Sequence, residues 1–206
     1  MSDTTLLVLS GVLGYLLGSI PFGIVFTRLA GLGDIREIGS GNIGATNVLR
    51  TGRKDLALLT LLFDSGKAAL AAGIAYYCVP EDGVSDTAAL IAGTAGVLGH
   101  NFPVWLKFKG GKGVAATLGM LLATCWQAGL LACATWLVMA LVFRYSSLSA
   151  LTALILAPVY AHFFATPEFV WFYGFLAVLS VIRHRSNIAR LIHGEESKIK
   201  LKKKAE

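Results

Sequence analysis

Residues 114–143 read VAATLGMLLATCWQAGLLACATWLVMALVF, a run of 30 residues that contains no charged side chain. A transmembrane helix needs about 20 apolar residues to cross the hydrocarbon core of a bilayer. The run is therefore too long for one span and short for two. Other apolar runs precede and follow it, at about residues 5–26, 56–79, 88–106, 149–165 and 169–182.

The composition is typical of a membrane protein. Of the 206 residues, 55% are hydrophobic and 15% are charged, and the mean hydropathy is +0.68, whereas an average soluble domain has about 25% charged residues. This excludes a disordered chain, a coiled coil and an ordinary cytosolic domain. The three cysteines lack metal-ligand spacing, and their odd number argues against a disulfide framework. We expect an all-α integral membrane protein that forms a single polytopic membrane domain over residues 1–206.

The distribution of charge decides how the run 114–143 is divided. If the N-terminus is outside and the run is a hairpin of two short helices, every Lys and Arg except Lys67 lies on the cytoplasmic side. The segments on the other side then hold acidic residues only, namely Asp3, Glu81, Asp82, Asp86 and Glu168. A single span would instead move Arg144 to the acidic side. The positive-inside rule therefore predicts seven transmembrane helices, with the N-terminus outside and a basic tail, residues 197–206, in the cytoplasm.

The first apolar run is expected to be a retained span, because a signal peptide would have a basic flank and this one is acidic. The net charge of +6 is a signal of this topology, and the basic tail is expected to contact anionic lipid. Because the sequence has no soluble basic domain, we expect no nucleic-acid partner.

The first unusual cytoplasmic segment, residues 39–47, reads GSGNIGATN and is followed by Arg50. It matches the dinucleotide fingerprint G-x-G-x-x-G, but that motif needs a soluble strand–turn–helix, and Asp64, at the expected distance, falls in an apolar run. The segment is not a nucleotide P-loop either, because Ala45 occupies the position that its lysine needs. Glycines let backbone N–H groups converge on an anion. Neutral donors are added by Ser40, Asn42, Thr46 and Asn47. The segment is a candidate anion site, with a plain turn as the alternative.

The second segment, residues 107–115, reads KFKGGKGVA and opens directly into the longest apolar run. Glycines and a lysine at the start of a helix favour phosphate, because unpaired N–H groups, the helix dipole and the lysine charge act together. Simple anchoring on the positive side of the membrane explains Lys107. It does not explain three glycines around Lys112.

The third segment, residues 184–191, reads HRSNIARL and is followed by Gly-Glu-Glu at 194–196. In a helix, His184 and Asn187 share a face. An imidazole beside an amide can bind a polyol or a phosphate, or accept a proton. An amphipathic interfacial helix is the alternative.

Together these motifs resemble the acyl-phosphate-dependent glycerol-3-phosphate acyltransferases of the bacterial inner membrane, the PlsY family. The resemblance rests on SGNIGATN at 40–47, on GH at 99–100 with KGGKGVA at 109–115, and on HxxNIxRL at 184–191. It implies seven helices in the bacterial inner membrane, with the active site facing the cytoplasm. It also implies transfer of a fatty acyl group from acyl phosphate to the 1-hydroxyl of glycerol 3-phosphate, giving lysophosphatidic acid and phosphate, the first step of phospholipid synthesis.

The resemblance also implies roles for individual residues. Glycerol 3-phosphate would be held by Ser40, Asn42, Arg50, Lys112, Ser149, His184 and Asn187. Acyl phosphate would be clipped by Gly44, Ala45, Thr46, Asn47, Lys109, Gly110, Gly111 and Gly113. The catalytic residues would be Ser40, Lys112 and His184, and either His184 or the donor phosphate would take the hydroxyl proton. No cofactor or metal is expected, and the partners are the two substrates and membrane lipids, bound by a monomer.

The sequence agrees with an acyl phosphate donor. Acyltransferases that use acyl-CoA or acyl carrier protein have His-x-x-x-x-Asp, and no histidine here has Asp five residues later. An acyl phosphate is a mixed anhydride whose leaving group departs as an anion, so the site needs alignment and positive charge rather than a strong acid. A transporter of a phosphorylated solute is the rival. It would show repeated halves and charges along a path at the membrane midplane, whereas only Asp64 and Lys67 lie within the predicted spans.

Overall fold

The computed structural model describes residues 1–79 and 84–199, and in these ranges the chain forms ten α-helices, with longer connections at residues 30–44 and 102–113. They are α1 (Asp3–Gly18), α2 (Phe22–Leu29), α3 (Ala45–Val48), α4 (Lys54–Cys78), α5 (Ser85–Asn101), α6 (Val114–Thr124), α7 (Trp126–Phe143), α8 (Ser146–Phe164), α9 (Pro167–Arg183) and α10 (Arg185–Ile192). Glu81, Asp82 and residues 200–206 of the predicted tail lie outside the described residues.

Among the described residues, four helical segments are long and apolar enough to cross a membrane. They are Asp3–Leu29, Lys54–Cys78, Trp126–Phe143 and Ser146–Phe164. Their outer surfaces expose large aliphatic side chains such as Leu13, Leu62 and Val142, while many of the buried positions are alanines. An apolar exterior around small interior residues is the pattern expected of helices that pack within lipid.

The predicted division of the run 114–143 is confirmed. Cys125 separates α6 from α7 with a φ of −147° and a ψ of 86°. A Cβ placed on Gly129 would lie 2.6 Å from the backbone nitrogen of Leu122, although residues seven apart in a straight helix are about 10 Å apart. The chain therefore folds back at Cys125. The prediction that both helices are short was right for α6, which has 11 residues. It was wrong for α7, which has 18 residues.

The first apolar run contains a break that the sequence analysis did not predict. α1 ends at Gly18 and α2 begins at Phe22. Pro21 has no N–H to donate, and it disfavours helical torsion angles at Ile20. The Nζ of Lys67, in α4, donates to the carbonyl oxygen of Ile20 at 2.8 Å. A buried lysine thus binds the backbone where the helix is interrupted.

Glycines bring α1 and α5 into close contact. A Cβ on Gly18 would lie 2.0 Å from the carbonyl oxygen of Gly96, and one on Gly99 would lie 2.3 Å from that of Tyr15. The hydroxyl of Tyr15 also donates to the carbonyl of Phe102 at 2.7 Å. The C-terminal end of α5 is therefore fixed beside the break after α1, and the glycine loop of residues 107–113 starts from this end.

Candidate active site

Asn47 organises the first glycine segment. Its Nδ2 donates to three carbonyl groups at 2.8–2.9 Å, those of Ile35, Ile38 and Asn42. Its Oδ1 accepts from the N–H of Ser40 at 3.0 Å and from Nη1 of Arg50 at 3.3 Å. A Cβ on Gly39, where φ is +59°, would lie 2.6 Å from the same Oδ1. Asn47 is 1% exposed, so its side chain holds the loop and orients Ser40 and Arg50.

The other predicted residues of this segment lie nearer to its surface. The Oδ1 of Asn42 accepts from the N–H of Ile43 at 2.9 Å. Gly44 precedes the first turn of α3, and Thr46, within that turn, is exposed. The predicted anion loop therefore folds as a hydrogen-bonded unit in which Ser40 and Thr46 face outward.

The second glycine segment is held on two sides. The N–H of Gly111 donates to the carbonyl of His100 at 3.0 Å. The Arg183 guanidinium, from α9, donates to the carbonyl oxygens of Gly110 at 2.9 Å and Gly111 at 2.6 and 3.0 Å. Gly113, with a φ of +77°, precedes the first residue of α6. The predicted position of the loop at a helix N-terminus is confirmed, and Arg183 is a supporting residue that the sequence analysis did not identify.

Lys112 joins the second segment to the third. Its Nζ donates to the Oδ1 of Asn187, which lies in α10. Burial lowers the pKa of Lys112 to about 8; the carboxylate of Glu196 opposes this shift and the positive charges of Arg190, Arg183 and Arg50 add to it. Those cations therefore concentrate positive charge around Lys112, as a binding site for phosphate requires. Lys109, the other predicted lysine of the loop, is exposed.

His184 lies between α9 and α10 and is 2% exposed. Its Nδ1 is 2.8 Å from the carbonyl oxygen of Ser180. A carbonyl can only accept, so Nδ1 carries the proton and Nε2 keeps a free lone pair in the neutral ring. Burial, with a smaller contribution from the charge of Lys112, lowers the pKa of His184 to about 4. At neutral pH the ring is therefore uncharged and can accept a proton.

Glu196 is the residue at the centre of this cluster that the sequence analysis left without a role. Its Oε1 accepts from Ser147 Oγ and from Asn187 Nδ2, each at 2.6 Å, and its Oε2 accepts from Arg190 Nε at 2.7 Å. Although burial acts in the opposite direction, these hydrogen bonds hold the pKa of Glu196 below its ordinary value. The carboxylate fixes the amide of Asn187 so that Oδ1 faces Lys112.

The three segments converge on one site. Nη2 of Arg50 donates to Ser197 Oγ at 3.0 Å, which ties the first segment to the residue after Glu196. Ser149 is fully buried, and its hydroxyl donates to the carbonyl of Tyr145 at 2.8 Å. The contact of Ser149 with substrate stays a prediction. In the same part of α8, Ser147 donates to Glu196.

The sequence matches known proteins over nearly its whole length. The family model for glycerol-3-phosphate acyltransferase matches residues 8–194. A glycerol-3-phosphate acyltransferase of Rhodospirillum rubrum is 65% identical over 197 residues, covering 93% of this chain and 90% of the relative. One of Paramagnetospirillum magneticum is 61% identical over 193 residues, covering 94% of each chain.

The fold also matches solved structures. The crystal structure of PlsY, an integral membrane glycerol 3-phosphate acyltransferase, in its glycerol 3-phosphate form has a TM-score of 0.86 and 37% identity, covering 94% of this chain and 96% of that one. The lysophosphatidic acid form of PlsY has a TM-score of 0.84 and 36% identity, covering 93% and 94%.

Proposed function

The chain belongs to the glycerol-3-phosphate acyltransferase family, and on that premise we propose that it transfers a fatty acyl group from acyl phosphate to the 1-hydroxyl of glycerol 3-phosphate. The products are lysophosphatidic acid and phosphate. The observation that carries the proposal is the convergence of Arg50, Lys112 and Arg190 on one half-buried site, beside a neutral imidazole. Family membership also excludes the transporter that the sequence left open as a rival.

The acceptor is proposed to bind through its phosphate. Lys112 and Arg50 supply positive charge, and Asn187 supplies a polar contact whose orientation Glu196 fixes. Ser40 lies beside Arg50, because both donate to the same oxygen of Asn47. Binding through phosphate leaves the 1-hydroxyl at the opposite end of a short molecule, where it can approach the carbonyl carbon of the donor.

The proton of the 1-hydroxyl is proposed to pass to His184 Nε2. The hydroxyl oxygen attacks the carbonyl carbon, the bond between that carbon and the phosphate oxygen breaks, and phosphate leaves with the electron pair. A neutral ring with Nδ1–H bound to Ser180 suits the role of base. Transfer of the proton to the departing phosphate is the alternative that the same experiments distinguish.

The donor is proposed to lie against the second glycine loop and the outer part of the first. The proposed backbone donors are residues 44–46, at the start of α3, and Gly110, Lys112 and Gly113, before α6, because the N–H of Gly111 is already bound to His100. Charge that develops on the leaving phosphate is offset by Lys112, so a proton donor is not needed. The acyl chain would then lie between helices that are open to lipid.

The protein is a multi-pass integral membrane protein, and we propose seven spans with the N-terminus outside. In this topology α5 and α9 cross in addition to the four longer segments, and the seventh crossing is made by α6, whose 11 residues are fewer than the usual number of about 20. The whole chain forms one polytopic domain that acts as a monomer. The basic residues Arg28, Arg53 and Arg144 then share the cytoplasmic side of the inner membrane with the active site, as the positive-inside rule requires.

Phosphate release by the purified protein tests the proposed reaction. The protein in detergent is given acyl phosphate with and without glycerol 3-phosphate, and free phosphate is measured. Release that needs the acceptor, and that matches lysophosphatidic acid one to one, is expected. Release that is the same without acceptor would show hydrolysis and would refute the proposal.

A further inference from the structure

Three ionisable side chains lie buried behind the glycine loop and take no part in the proposed reaction. Asp64 and Lys67, in α4, are 1% and 3% exposed, and His100, in α5, is 4% exposed. The Oδ1 of Asp64 is 3.1 Å from Lys67 Nζ and 3.5 Å from His100 Nδ1. Ionisable groups are costly inside a membrane protein and are usually functional or mutually paired. The pairing is present, but it does not explain why His100 faces the loop.

The His100 ring is held between Asp64 and Gly111. A Cβ added to Gly111 would lie 2.1 Å from Nε2, 2.8 Å from Cδ2 and 3.0 Å from Cε1 of this ring, and these are the three nearest atoms. The carbonyl of His100 also accepts the N–H of Gly111 at 3.0 Å. His100 therefore contacts Gly111 through both its side chain and its backbone, and Gly111 directly precedes Lys112.

We propose that His100 is a positioning residue for the reaction. Its imidazole, which packs 3.5 Å from the Asp64 carboxylate, sets the path of the backbone at Gly111 and so the place of Lys112 Nζ in the phosphate site. Lys67 completes the arrangement, because it neutralises Asp64 and binds the Ile20 carbonyl. A displacement of about 1 Å in a charged group can cost about a hundredfold in rate. The inference rests on the proposed role of Lys112.

A pair of substitutions tests whether the ring acts on the loop. Gly111 does not have the left-handed torsion angles that require glycine, and the three atoms nearest to the Cβ of Gly111→Ala all belong to the His100 ring. We expect Gly111→Ala and His100→Ala each to lower kcat/KM for glycerol 3-phosphate by about tenfold or more. In the double variant the obstructing ring is absent, so its kcat/KM should equal that of His100→Ala.

Gly110→Ala is the matched control. A Cβ there would meet Pro103 Cδ at 2.2 Å and the carbonyl oxygens of His100 and Asn101 at 2.3 and 2.8 Å, and all three atoms remain in His100→Ala. The losses from Gly110→Ala and His100→Ala should therefore multiply. If those from Gly111→Ala and His100→Ala multiply as well, the proposal is wrong.

Thermal unfolding in detergent separates positioning from structural support. A purely structural His100 would give His100→Ala a lower Tm with wild-type KM and kcat in the folded fraction, and that result would overturn the proposal. If His100→Ala does not fold, His100→Asn keeps a polar group beside Asp64 with a shorter side chain and allows the same coupling measurement. Wild-type kinetics in a Lys112 variant would instead refute the proposed function. In that case the Tm losses of His100→Ala and Gly111→Ala would still be non-additive, so the two failures are distinguishable.

Discussion

Replacing Lys112 by methionine removes the positive charge and keeps a side chain of similar length. With an effective dielectric constant of about 20, a unit charge about 3 Å from a phosphate oxygen interacts by about 5 kcal/mol. Lys112 is half-buried, and Arg50 and Arg190 remain near it, so only part of this energy should be lost. We expect Lys112→Met to reduce the stabilisation of the transition state by about 2–4 kcal/mol, which corresponds to a kcat/KM about 30- to 1,000-fold lower.

The assay is phosphate release at pH 7 with glycerol 3-phosphate varied at saturating acyl phosphate. Both KM and kcat should be affected, because the charge faces phosphate before and during the reaction. Lys112→Arg should recover little, since a planar fork does not replace a point charge beside close-packed glycines. Lys107→Met is the control, because Lys107 is exposed in the same loop. Equal losses in Lys112→Met and Lys107→Met would mean that general surface charge, and not this contact, binds the substrate.

Three further predictions concern pH, stability and topology. The pKa of His184 is lowered to about 4 and that of Lys112 to about 8. The value of kcat/KM should therefore fall below about pH 4, where His184 is protonated, and above about pH 8, where Lys112 loses its charge. His184→Ala should cost about 10²–10⁴-fold and remove the acidic limb, whereas a rise in KM alone would assign the proton to the donor phosphate. The lowered pKa of Glu196 means that its stabilising contribution is present above its ordinary value of 4.5 and is lost as pH falls through the folded-state value. Glu196→Gln should therefore lower Tm at pH 7 but make little difference at low pH, and an equal effect at both would show that its charge is irrelevant. In a cysteine-free background, Arg144→Cys should react with an impermeant reagent only from the cytoplasmic side and Glu168→Cys only from outside; labelling of position 144 from outside would refute seven spans.

Charge and spacing predicted much of the helical architecture from the sequence. The division of the run 114–143 followed from the position of Arg144, and the structure places the turn at Cys125. The break after Gly18 was missed, because an apolar run gives the same hydropathy whether or not its backbone is helical. Pro21 was the local signal for the break, and Lys67, 47 residues from Ile20, binds the carbonyl oxygen at that point.

The sequence motifs located the site but not the contacts that organise it. The loop starting at Gly110 was predicted from its glycine and lysine spacing, and Asn187 was selected because, in a helix, it would share a face with His184. Glu196 was not assigned, because its role depends on the fold that brings it to Asn187, to Arg190 and to Ser147, the last of them 49 residues away. Arg183 was not identified for the same reason: it binds the loop backbone across 72 residues.

The choice of donor tests the central claim most directly. The purified protein is given glycerol 3-phosphate with either acyl phosphate or acyl-CoA of the same chain length, and lysophosphatidic acid is measured. Product should form from acyl phosphate alone, since the site offers glycine loops and Lys112 for a phosphate leaving group and the sequence has no His-x-x-x-x-Asp. Comparable product from acyl-CoA, free of contaminating activity, would contradict this account of the site.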